Sequence, residues 1–303
     1  MKKAFYLPVI IVFLLILCKT AFSQTAAVDT IGDNAKGVKA SSLKFGLNYL
    51  SNAVLLGRAD TIKTPLLEPE IKYTFKAGIY LSGNLNYIPN RLKHRLDGGS
   101  LGIGYDYNIG ENMSGGVSFT KLFYNSSSTQ IGSSISSSLN ANLDYDIGDI
   151  ITPSISVDYN VIKNGFGNDI LINTGLTHDF AKEGVFGEDD LIIISPTATV
   201  NAGTQNFYDA YFSIKKNNLI KKGQSKVAAI KKRIAAQDAK LSQFTLLDYE
   251  FSVPVEYKTG ALIFSFTPTY ALAHNKLPIR LTSAMVNTNG GIFYFQAGVT
   301  LKF

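Results

Sequence analysis

The C-terminal stretch 291–303, GIFYFQAGVTLKF, alternates between apolar residues and residues that are small or polar. Side chains two positions apart point to the same face of a β-strand. This period predicts a strand with one face in an apolar medium and the other in water. The apolar positions are Phe293, Phe295, Ala297, Val299, Leu301 and the final Phe303. Such a strand needs neighbours, so the rest of the chain is expected to provide a sheet.

Most of the preceding chain repeats this alternation. Twelve strands are predicted, at residues 43–49, 70–75, 79–87, 101–109, 117–123, 135–145, 151–160, 170–180, 192–200, 247–257, 262–270 and 291–303. The fifth is the least regular, because Lys121 shares the parity of Val117 and Phe119. Residues 205–214, QNFYDAYFSI, could form a further strand pair, so fourteen strands is the alternative.

The chain opens with the features of a secretory signal peptide. Lys2 and Lys3 are basic, residues 9–17 are apolar, and Ala21-Phe22-Ser23 provides a small-x-small cleavage site before Gln24. The apolar run is shorter than the roughly 20 residues that a membrane-spanning helix needs. We therefore expect a cleaved signal peptide at residues 1–23 and one domain at residues 24–303, with a retained N-terminal anchor as the alternative.

Cys18 is the only cysteine in the sequence. It raises the alternative of a lipoprotein, but the bulky Leu17 precedes it where such a site needs a small residue. Cleavage after Ser23 would remove Cys18 and leave neither disulfides nor thiolate metal sites. The sequence also shows no metal-ligand spacing and no phosphate-binding loop, so no cofactor or metal is predicted.

The export signal, the alternating strands and the terminal Phe303 together resemble the outer-membrane β-barrels of Gram-negative bacteria. The last strand of such barrels typically ends in Phe and serves as the assembly signal. The resemblance implies an all-β fold, a closed antiparallel transmembrane β-barrel in the cell outer membrane. It also implies contacts with outer-membrane lipid, lipopolysaccharide and the barrel-assembly machinery. The assembly signal here would consist of Phe293, Phe295, Val299, Leu301 and Phe303.

The connections between the predicted strands alternate in length. Every second one is short, at 77–78, 110–112, 148–149, 181–190 and 258–260, whereas 51–69, 88–97, 125–133, 163–168, 203–243 and 273–290 are mostly longer. Outer-membrane barrels have short periplasmic turns and longer extracellular loops, so both chain ends are expected in the periplasm. No stretch after residue 23 is apolar enough for a membrane-spanning helix, which leaves a closed barrel as the way to reside in lipid.

The two faces of the predicted strands differ in chemistry. A charge at mid-membrane on the lipid face of a barrel costs roughly 2–4 kcal/mol, so the face rich in Asn, Ser, Thr, Asp and Gly must line the lumen. Small residues recur on it, namely Gly102, Gly104, Ser136, Ser138, Ser154 and Ser156. On the other face, tyrosines near strand ends are expected to form aromatic girdles: Tyr49, Tyr87, Tyr159, Tyr257 and Tyr270.

Residues 215–243 break the alternation, with nine basic residues and one acidic residue, a net charge of +8. Val227, Ile230, Ile234 and Leu241 fall on one side of a helix, which predicts a basic amphipathic helix within the long loop 203–243. It could bind lipopolysaccharide, fold into the barrel mouth against lumen acids, or remain a solvated loop. The candidate residues for the second arrangement are Lys231, Lys232 and Arg233 on the helix and Asp158, Asp248 and Glu250 in the lumen.

About twelve strands leave at most a narrow pore, because eight leave none and sixteen leave a wide one. The small inward residues favour a channel or transporter for small polar solutes. The alternative is a non-conducting structural or interaction barrel that acts through its extracellular loops. No catalysis is predicted, because His178 is assigned to the lipid-facing side whereas the nearest serine, Ser195, faces the lumen. A nucleic-acid partner fits neither the compartment nor the fold.

Overall fold

A computed structural model describes residues 40–148, 150–163, 167–208, 241–274, 286–287 and 290–303. Within these residues the chain forms a closed antiparallel barrel of twelve strand positions. The strands are β1 (Ser42–Leu50), β2 (Val54–Leu55), β3 (Arg58–Asp60), β4 (Leu66–Thr74), β5 (Ile79–Tyr87), β6 (Leu96–Ile109), β7 (Met113–Tyr124), β8 (Ile135–Tyr145), β9 (Thr152–Ile162), β10 (Asp169–Thr177), β11 (Phe180–Glu183), β12 (Asp190–Ile194), β13 (Thr197–Gly203), β14 (Thr245–Ser252), β15 (Val255–Thr259), β16 (Leu262–Ala273), β17 (Val286–Asn287) and β18 (Ile292–Lys302).

Strands that follow one another along the chain also pair around the wall, and β18 closes the barrel. It pairs with β16 on one side and with β1 on the other. The last residue takes part in this closure. The backbone N–H of Phe303 donates to the Leu43 carbonyl at 2.9 Å, and the Leu43 N–H donates to the Phe303 carbonyl at 3.0 Å. Closure satisfies the backbone groups of the wall, as a strand in lipid requires.

Three of the twelve wall positions are composite strands. β10 continues into β11, β12 into β13, and β14 into β15, each across a short break. Pro196 and Pro254 lie in two of these breaks, where the Ser195 N–H donates to the Pro254 carbonyl at 2.9 Å. Proline has no N–H to donate to the neighbouring strand, so strand pairing is interrupted at these positions. The chain on either side of each break remains part of the wall. Counted once each, the composite strands confirm the predicted number of twelve.

Apolar side chains cover the outside of the wall. On β6, Leu101, Ile103 and Tyr105 are exposed, whereas Gly102 and Gly104 between them face the interior. The predicted girdle residues Tyr49, Tyr159 and Tyr270 are likewise on the outside. An apolar exterior around a polar interior is the arrangement of a membrane-spanning barrel.

One end of the barrel has mainly short connections, and we call it the turn end. β6 and β7 are joined there through 110–112, and β15 and β16 through 260–261. The start of β1 and the end of β18 lie at the same end. The predicted turn at 181–190 is wrong, because β11 and β12 extend this hairpin and confine its turn to 184–189. Asp190 fixes the turn by accepting hydrogen bonds of 2.7–2.8 Å from the backbone N–H groups of Val185, Phe186 and Gly187.

The opposite end, which we call the mouth, carries the longer loops. β2, β3 and β17 form a small three-stranded sheet there, and a 3-10 helix spans Ile131–Ser134. Residues 206–208 are helical rather than part of an additional strand. The predicted basic helix falls almost entirely on 209–240, outside the described residues. No helix in the described part of the chain is long and apolar enough to cross a membrane.

Leu247 departs from the predicted alternation, which places it on the outer face with Tyr249. On the neighbouring strand Asn201 pairs with Asp248 and Ala202 pairs with Leu246, so Leu247 is the extra residue of a β-bulge. A bulge locally changes the direction of side chains. The Leu247 side chain is fully buried as a result and packs in the mouth.

Candidate functional site: the barrel lumen and its mouth

Polar side chains line the lumen in hydrogen-bonded groups. Asp158 on β9 accepts hydrogen bonds from Asn140 Nδ2 on β8 at 2.7 Å and from Asn173 Nδ2 on β10 at 3.1 Å. Ser100 on β6 donates to Asn84 Oδ1 on β5 at 2.6 Å. The amides of Asn140 and Asn173 hydrogen-bond the Asp158 carboxylate without neutralising its charge. The wall at β8, β9 and β10 is therefore both polar and negative.

A cavity of about 450 Å³ lies in the half of the lumen that includes β1, β4, β5, β16 and β18. Lys44, Lys72, Glu70 and Glu256 bring charges of both signs to it. The remaining polar lining consists of Asn48, Ser82, Asn84, Ser100, Ser265, Gln296 and Thr300. Small-molecule sites commonly have volumes of about 300–1,000 Å³, so the cavity has room for a small polar solute.

Apolar side chains obstruct the interior at the mouth, and we call this group the mouth cluster. The wall contributes Ile162, Leu171 and Leu247, and the loops contribute Leu56, Ile131, Phe207, Tyr208 and Leu241. The rings of Phe207 and Tyr208 are 4.3 Å apart, and both side chains are fully buried. The mouth therefore has a packed core of its own inside a barrel that is otherwise polar.

The hairpin of β2 and β3 reaches into the mouth cluster. Its turn consists of Leu56 and Gly57, with φ values of 51° and 69°. Two successive positive φ angles are typical of the type I′ turn that joins tightly paired strands. A Cβ added at Gly57 would lie 2.8 Å from the Ala273 backbone nitrogen, so only glycine allows both this φ and this close approach.

Arg58, which follows the turn, is 1% exposed. Its Nη1 donates to Gln205 Oε1 at 3.3 Å, and its guanidinium carbon lies 5.7 Å from the centre of the Tyr208 ring. Its charge also acts on Asp248 of β14, which is fully buried. Burying a charge is costly unless it is paired, so these contacts hold the hairpin in place. Burial raises the pKa of the Tyr208 phenol, although Arg58 opposes this shift.

Asp169, the first residue of β10, holds the loop that brings Phe207 into the mouth. Its buried carboxylate accepts hydrogen bonds from Thr204 Oγ1 at 2.7 Å, the Asn206 N–H at 2.6 Å and the Phe207 N–H at 2.8 Å. Ser134 Oγ also donates to the Phe207 carbonyl at 2.8 Å. Asp169 thus satisfies backbone donors at the start of the helical turn 206–208, as an N-cap residue does.

A second buried carboxylate, Asp97, joins two other loops. It accepts hydrogen bonds from Arg91 Nη1 at 2.6 Å, Ser128 Oγ at 2.6 Å and Gln130 Nε2 at 2.7 Å. Arg91 Nη2 also donates to Thr129 Oγ1 at 3.0 Å. Hydrogen bonds to ionised groups are about twice as strong as those between neutral groups, so Asp97 fixes these loops to the rim.

The candidate lumen acids lie in different surroundings. Asp158 is bound by amides on the wall, whereas Asp248 is near Arg58 at the mouth and Glu250 is two residues further along β14. Lys231, Lys232 and Arg233 lie outside the described residues, so their approach to these acids stays a prediction. Sequence reasoning missed Arg58, Asp97 and Asp169, because each acts through contacts between distant loops that have no periodic pattern.

The histidines have structural neighbours. His178 contacts the Ile150 carbonyl, and its ring is 4.3 Å from that of Phe180. The His274 ring lies edge-on to Tyr249 at 5.8 Å. No group of three or more His, Cys, Asp or Glu residues that could hold a metal ion occurs within the described ranges.

No protein-family model matches the chain, and no curated protein matches its sequence. Among solved structures, the KdgM porin has 9% identity and a TM-score of 0.45, covering 86% of this chain and 99% of that one. The NanC porin has 9% identity and a TM-score of 0.43, with 86% and 100% covered. An outer-membrane channel from Pseudomonas putida F1 has 10% identity and a TM-score of 0.43, with 90% and 99% covered. Such distant similarity identifies neither a solute nor a mechanism.

The chain's own structure confirms the fold class that its sequence predicts. Twelve antiparallel strands close into one barrel, and the exterior of that barrel is apolar. This is the architecture of a Gram-negative outer-membrane β-barrel.

Proposed function

We propose that this protein is an outer-membrane channel for small polar solutes, with the β2–β3 hairpin as the gate of its mouth. The observation that carries the proposal is the polar cavity of about 450 Å³ inside the wall. A small barrel with a purely structural role is expected to fill its interior with side chains. Here short amide and hydroxyl side chains leave space for a solute instead.

The contacts of the mouth suggest which part moves. Asp97 and Asp169 hold the neighbouring loops at the rim, because each carboxylate accepts three hydrogen bonds from these loops. The hairpin pairs with β17 at its base, and the side chains that it places in the mouth flank Gly57: Leu56 in the mouth cluster and Arg58 beside Tyr208. Its withdrawal would remove Leu56 and Arg58 from the mouth and widen the space there, while the other loops keep their positions.

Conductance in a planar lipid bilayer tests the proposal. The comparison is between the wild type and a variant in which residues 54–60 are replaced by a Gly-Ser linker. We expect brief openings of the wild type and a larger, longer-lasting conductance of the variant. Lys93→Ala is the control, because Lys93 is exposed in the loop between β5 and β6 and is not part of the mouth cluster. Absence of current through both wild type and linker variant would overturn the channel.

A non-conducting barrel that acts through its loops is the second candidate. The mouth cluster favours it, because Phe207, Tyr208 and Leu247 are fully buried in an apolar core that a permanent passage would not have. This function predicts no current through the wild type at any voltage, and none through the linker variant. The two candidates are thus separated by the same recording.

We also propose that residues 1–23 are removed on export, on the strength of the basic, apolar and small-x-small segments at the start of the chain. These residues lie outside the described ranges. Sequencing of the protein isolated from outer membranes should begin at Gln24. A first residue of Met1 would contradict cleavage.

A further inference from the structure

Lys121 places a charge on the face of the barrel that meets lipid. It is exposed on β7 between Phe119 and Phe123, which have the same outward parity. Within the described wall, it is the only charged residue at an outward position of β5 to β9. A charge on this face is unfavourable at mid-membrane and costs little near the water interface. The depth of Lys121 therefore decides what it can contact.

Two tyrosines mark the level at which the outer face meets water. The Tyr87 hydroxyl on β5 accepts a hydrogen bond from Arg95 at 3.1 Å, and the Tyr159 hydroxyl on β9 accepts one from Asn168 Nδ2 at 2.7 Å. Arg95 and Asn168 belong to loops of the mouth, so both hydroxyls point toward water while the rings stay with the wall. A line through the two tyrosines therefore marks the interface on the mouth side.

Strand register places Lys121 close to this level. The row of paired residues that contains Lys121 continues to Gly83 on β5 and to Val161 on β9. Tyr87 lies four residues from Gly83 toward the mouth, whereas Tyr159 lies two residues from Val161 toward the turn end. This shift of about 20 Å along the strands, over about 19 Å across them, corresponds to the tilt of about 45° typical of such barrels. Midway, on β7, the interface falls about one residue from Lys121.

Further basic residues surround Lys121 on the mouth side. Lys163 directly follows β9, has the outward parity of Val161 and is exposed. Lys93 and Arg95 are exposed in the loop between β5 and β6. The side chains of Lys121 and Lys163 form no hydrogen bond or ion pair with any other part of the chain that the structure describes. Both ammonium groups are therefore available to a ligand from outside the chain.

No exposed carboxylate compensates these charges. Three loops connect β5 to β10 at the mouth, and none of them contains Asp or Glu: 88–95, 125–134 and 163–168. The acids that follow the first and the last of these loops, Asp97 and Asp169, are buried and accept hydrogen bonds from the mouth loops. The outer surface above β5 to β9 is thus positive. A positive surface at a lipid interface attracts anionic headgroups.

We propose that Lys121 and Lys163 together bind a phosphate group of lipopolysaccharide beside the mouth. One strand separates β7 from β9, so the two Cα atoms are about 12 Å apart, and extended lysine side chains can approach one phosphate from both sides. Lys121 extends along the wall to the headgroup level, as lysines do at membrane interfaces. Phe119 and Phe123 then contact the acyl chains of the same lipid.

The choice of ligand follows from the end of the barrel at which the lysines lie. The mouth carries the long loops, which outer-membrane barrels direct to the cell exterior, and lipopolysaccharide is the phosphorylated lipid of the outer leaflet. Phospholipids of the inner leaflet would meet the turn end instead. This site lies outside the wall, so it does not depend on the proposed conduction through the lumen.

Binding of lipid A, the phosphorylated lipid part of lipopolysaccharide, to the full mature chain in detergent tests the site. The matched probe is the same lipid A after removal of its phosphates. Native mass spectrometry measures the fraction of protein that carries lipid at each lipid concentration. We expect the dephosphorylated lipid to bind at least about tenfold more weakly, because the charge-assisted contacts are lost. Phosphatidylglycerol, a phospholipid with one phosphate, shows whether any anionic lipid is accepted.

Substitutions locate the binding. Lys121→Gln and Lys163→Gln should each weaken binding of lipid A about fivefold, as expected for one basic residue near an anionic lipid surface. Lys182→Gln is the matched control, because Lys182 is exposed on β11 at the turn end and should leave binding unchanged. Lys121→Leu separates binding from stability. It removes the charge from the lipid face, so the barrel should keep its heat-modifiable mobility on a gel and still lose affinity for lipid A.

The outcomes are distinct. Equal affinity for lipid A and its dephosphorylated form overturns the site, as does unchanged affinity of a folded Lys121→Gln/Lys163→Gln variant. An equal loss in Lys182→Gln also contradicts it, because binding would then follow the total charge of the barrel. Phosphatidylglycerol that binds as tightly as lipid A, with the same dependence on Lys121, overturns lipopolysaccharide as the ligand. A preference for lipid A that disappears in the double variant supports the site, whether or not the barrel conducts.

Discussion

The guanidinium carbon of Arg58 lies 5.7 Å from the centre of the Tyr208 ring, and both side chains are buried in the mouth. The two residues come from different loops, so this contact joins the β2–β3 hairpin to the loop after β13. A desolvated cation–π contact is worth about 2 kcal/mol, more than most single contacts between surface loops. The position of the hairpin therefore depends strongly on one arginine.

Arg58→Ala should increase the fraction of time that the barrel conducts. The substitution removes the contact with Tyr208 and the hydrogen bond to Gln205, and it takes the Arg58 charge away from the buried Asp248. A loss of about 2–3 kcal/mol from the closed state would raise the open population by roughly 30- to 150-fold. Single-channel recording measures this population, and an unchanged value would exclude Arg58 as a latch.

Asp169→Asn should loosen the loop that carries Phe207. One amide oxygen cannot accept all three hydrogen bonds that the carboxylate accepts, and the loss should cost about 1–3 kcal/mol. Hydrogen exchange of the backbone amides of Asn206 and Phe207 should become roughly 5- to 150-fold faster. Asp189→Asn, an exposed change at the turn end, is the control and should leave these amides protected.

The wall could be predicted from the sequence because its strands obey one local rule. Alternation of apolar and polar side chains is read from neighbouring residues, and lipid outside and water inside impose it along most of the wall. Even the least regular strand, β7, keeps its phase, with Lys121 exposed on the same face as Phe119. The rule fails at Leu247, where a bulge changes the phase, and at 181–190, where strand pairing continues beyond the break near Pro196.

The mouth could not be predicted in the same way. The apolar residues around Phe207 and Tyr208 are compatible with a strand when they are considered alone. The helical turn that they form instead depends on hydrogen bonds to Asp169, which is distant in the sequence. Arg58 begins β3, within the segment 51–69 that the sequence predicts as a loop and in which no pattern indicates burial. The proximity of Lys44, Lys72 and Lys302 likewise follows from strand register, which no local pattern in the sequence shows.

Accessibility of inserted tags should reveal the orientation. Ser127 is exposed in the loop between β7 and β8, and Asn112 is exposed in the turn between β6 and β7. If the turn end faces the periplasm, an epitope after Ser127 should be labelled on intact cells and one after Asn112 only after permeabilisation. Labelling in the reverse pattern would place the mouth in the periplasm.

The assembly signal predicted at the C-terminus can be tested at Phe303. Its ring lies edge-on to Phe45 at 6.3 Å, and its backbone exchanges two hydrogen bonds with Leu43. Phe303→Ala keeps the backbone pair and loses the aromatic contact, worth about 0.5–1.5 kcal/mol beyond its buried area. Deletion of residues 301–303 removes both. The amount of heat-modifiable barrel in outer membranes should fall for Phe303→Ala and fall further for the deletion. Phe123→Ala, also on the outer face but away from the seam, is the control.

Refolding of the same variants from urea into detergent micelles separates recognition from stability. The closing contacts of β18 with β1 contribute equally in cells and in micelles, because they are part of the barrel itself. If the cell's assembly machinery recognises the terminal strand, Phe303→Ala should reduce the folded amount in cells by more than it reduces the refolded yield. Equal reductions would mean that Phe303 matters through the seam with Phe45 and Leu43 alone. Normal levels of folded Phe303→Ala in cells would show that the aromatic end of the chain is not the element recognised.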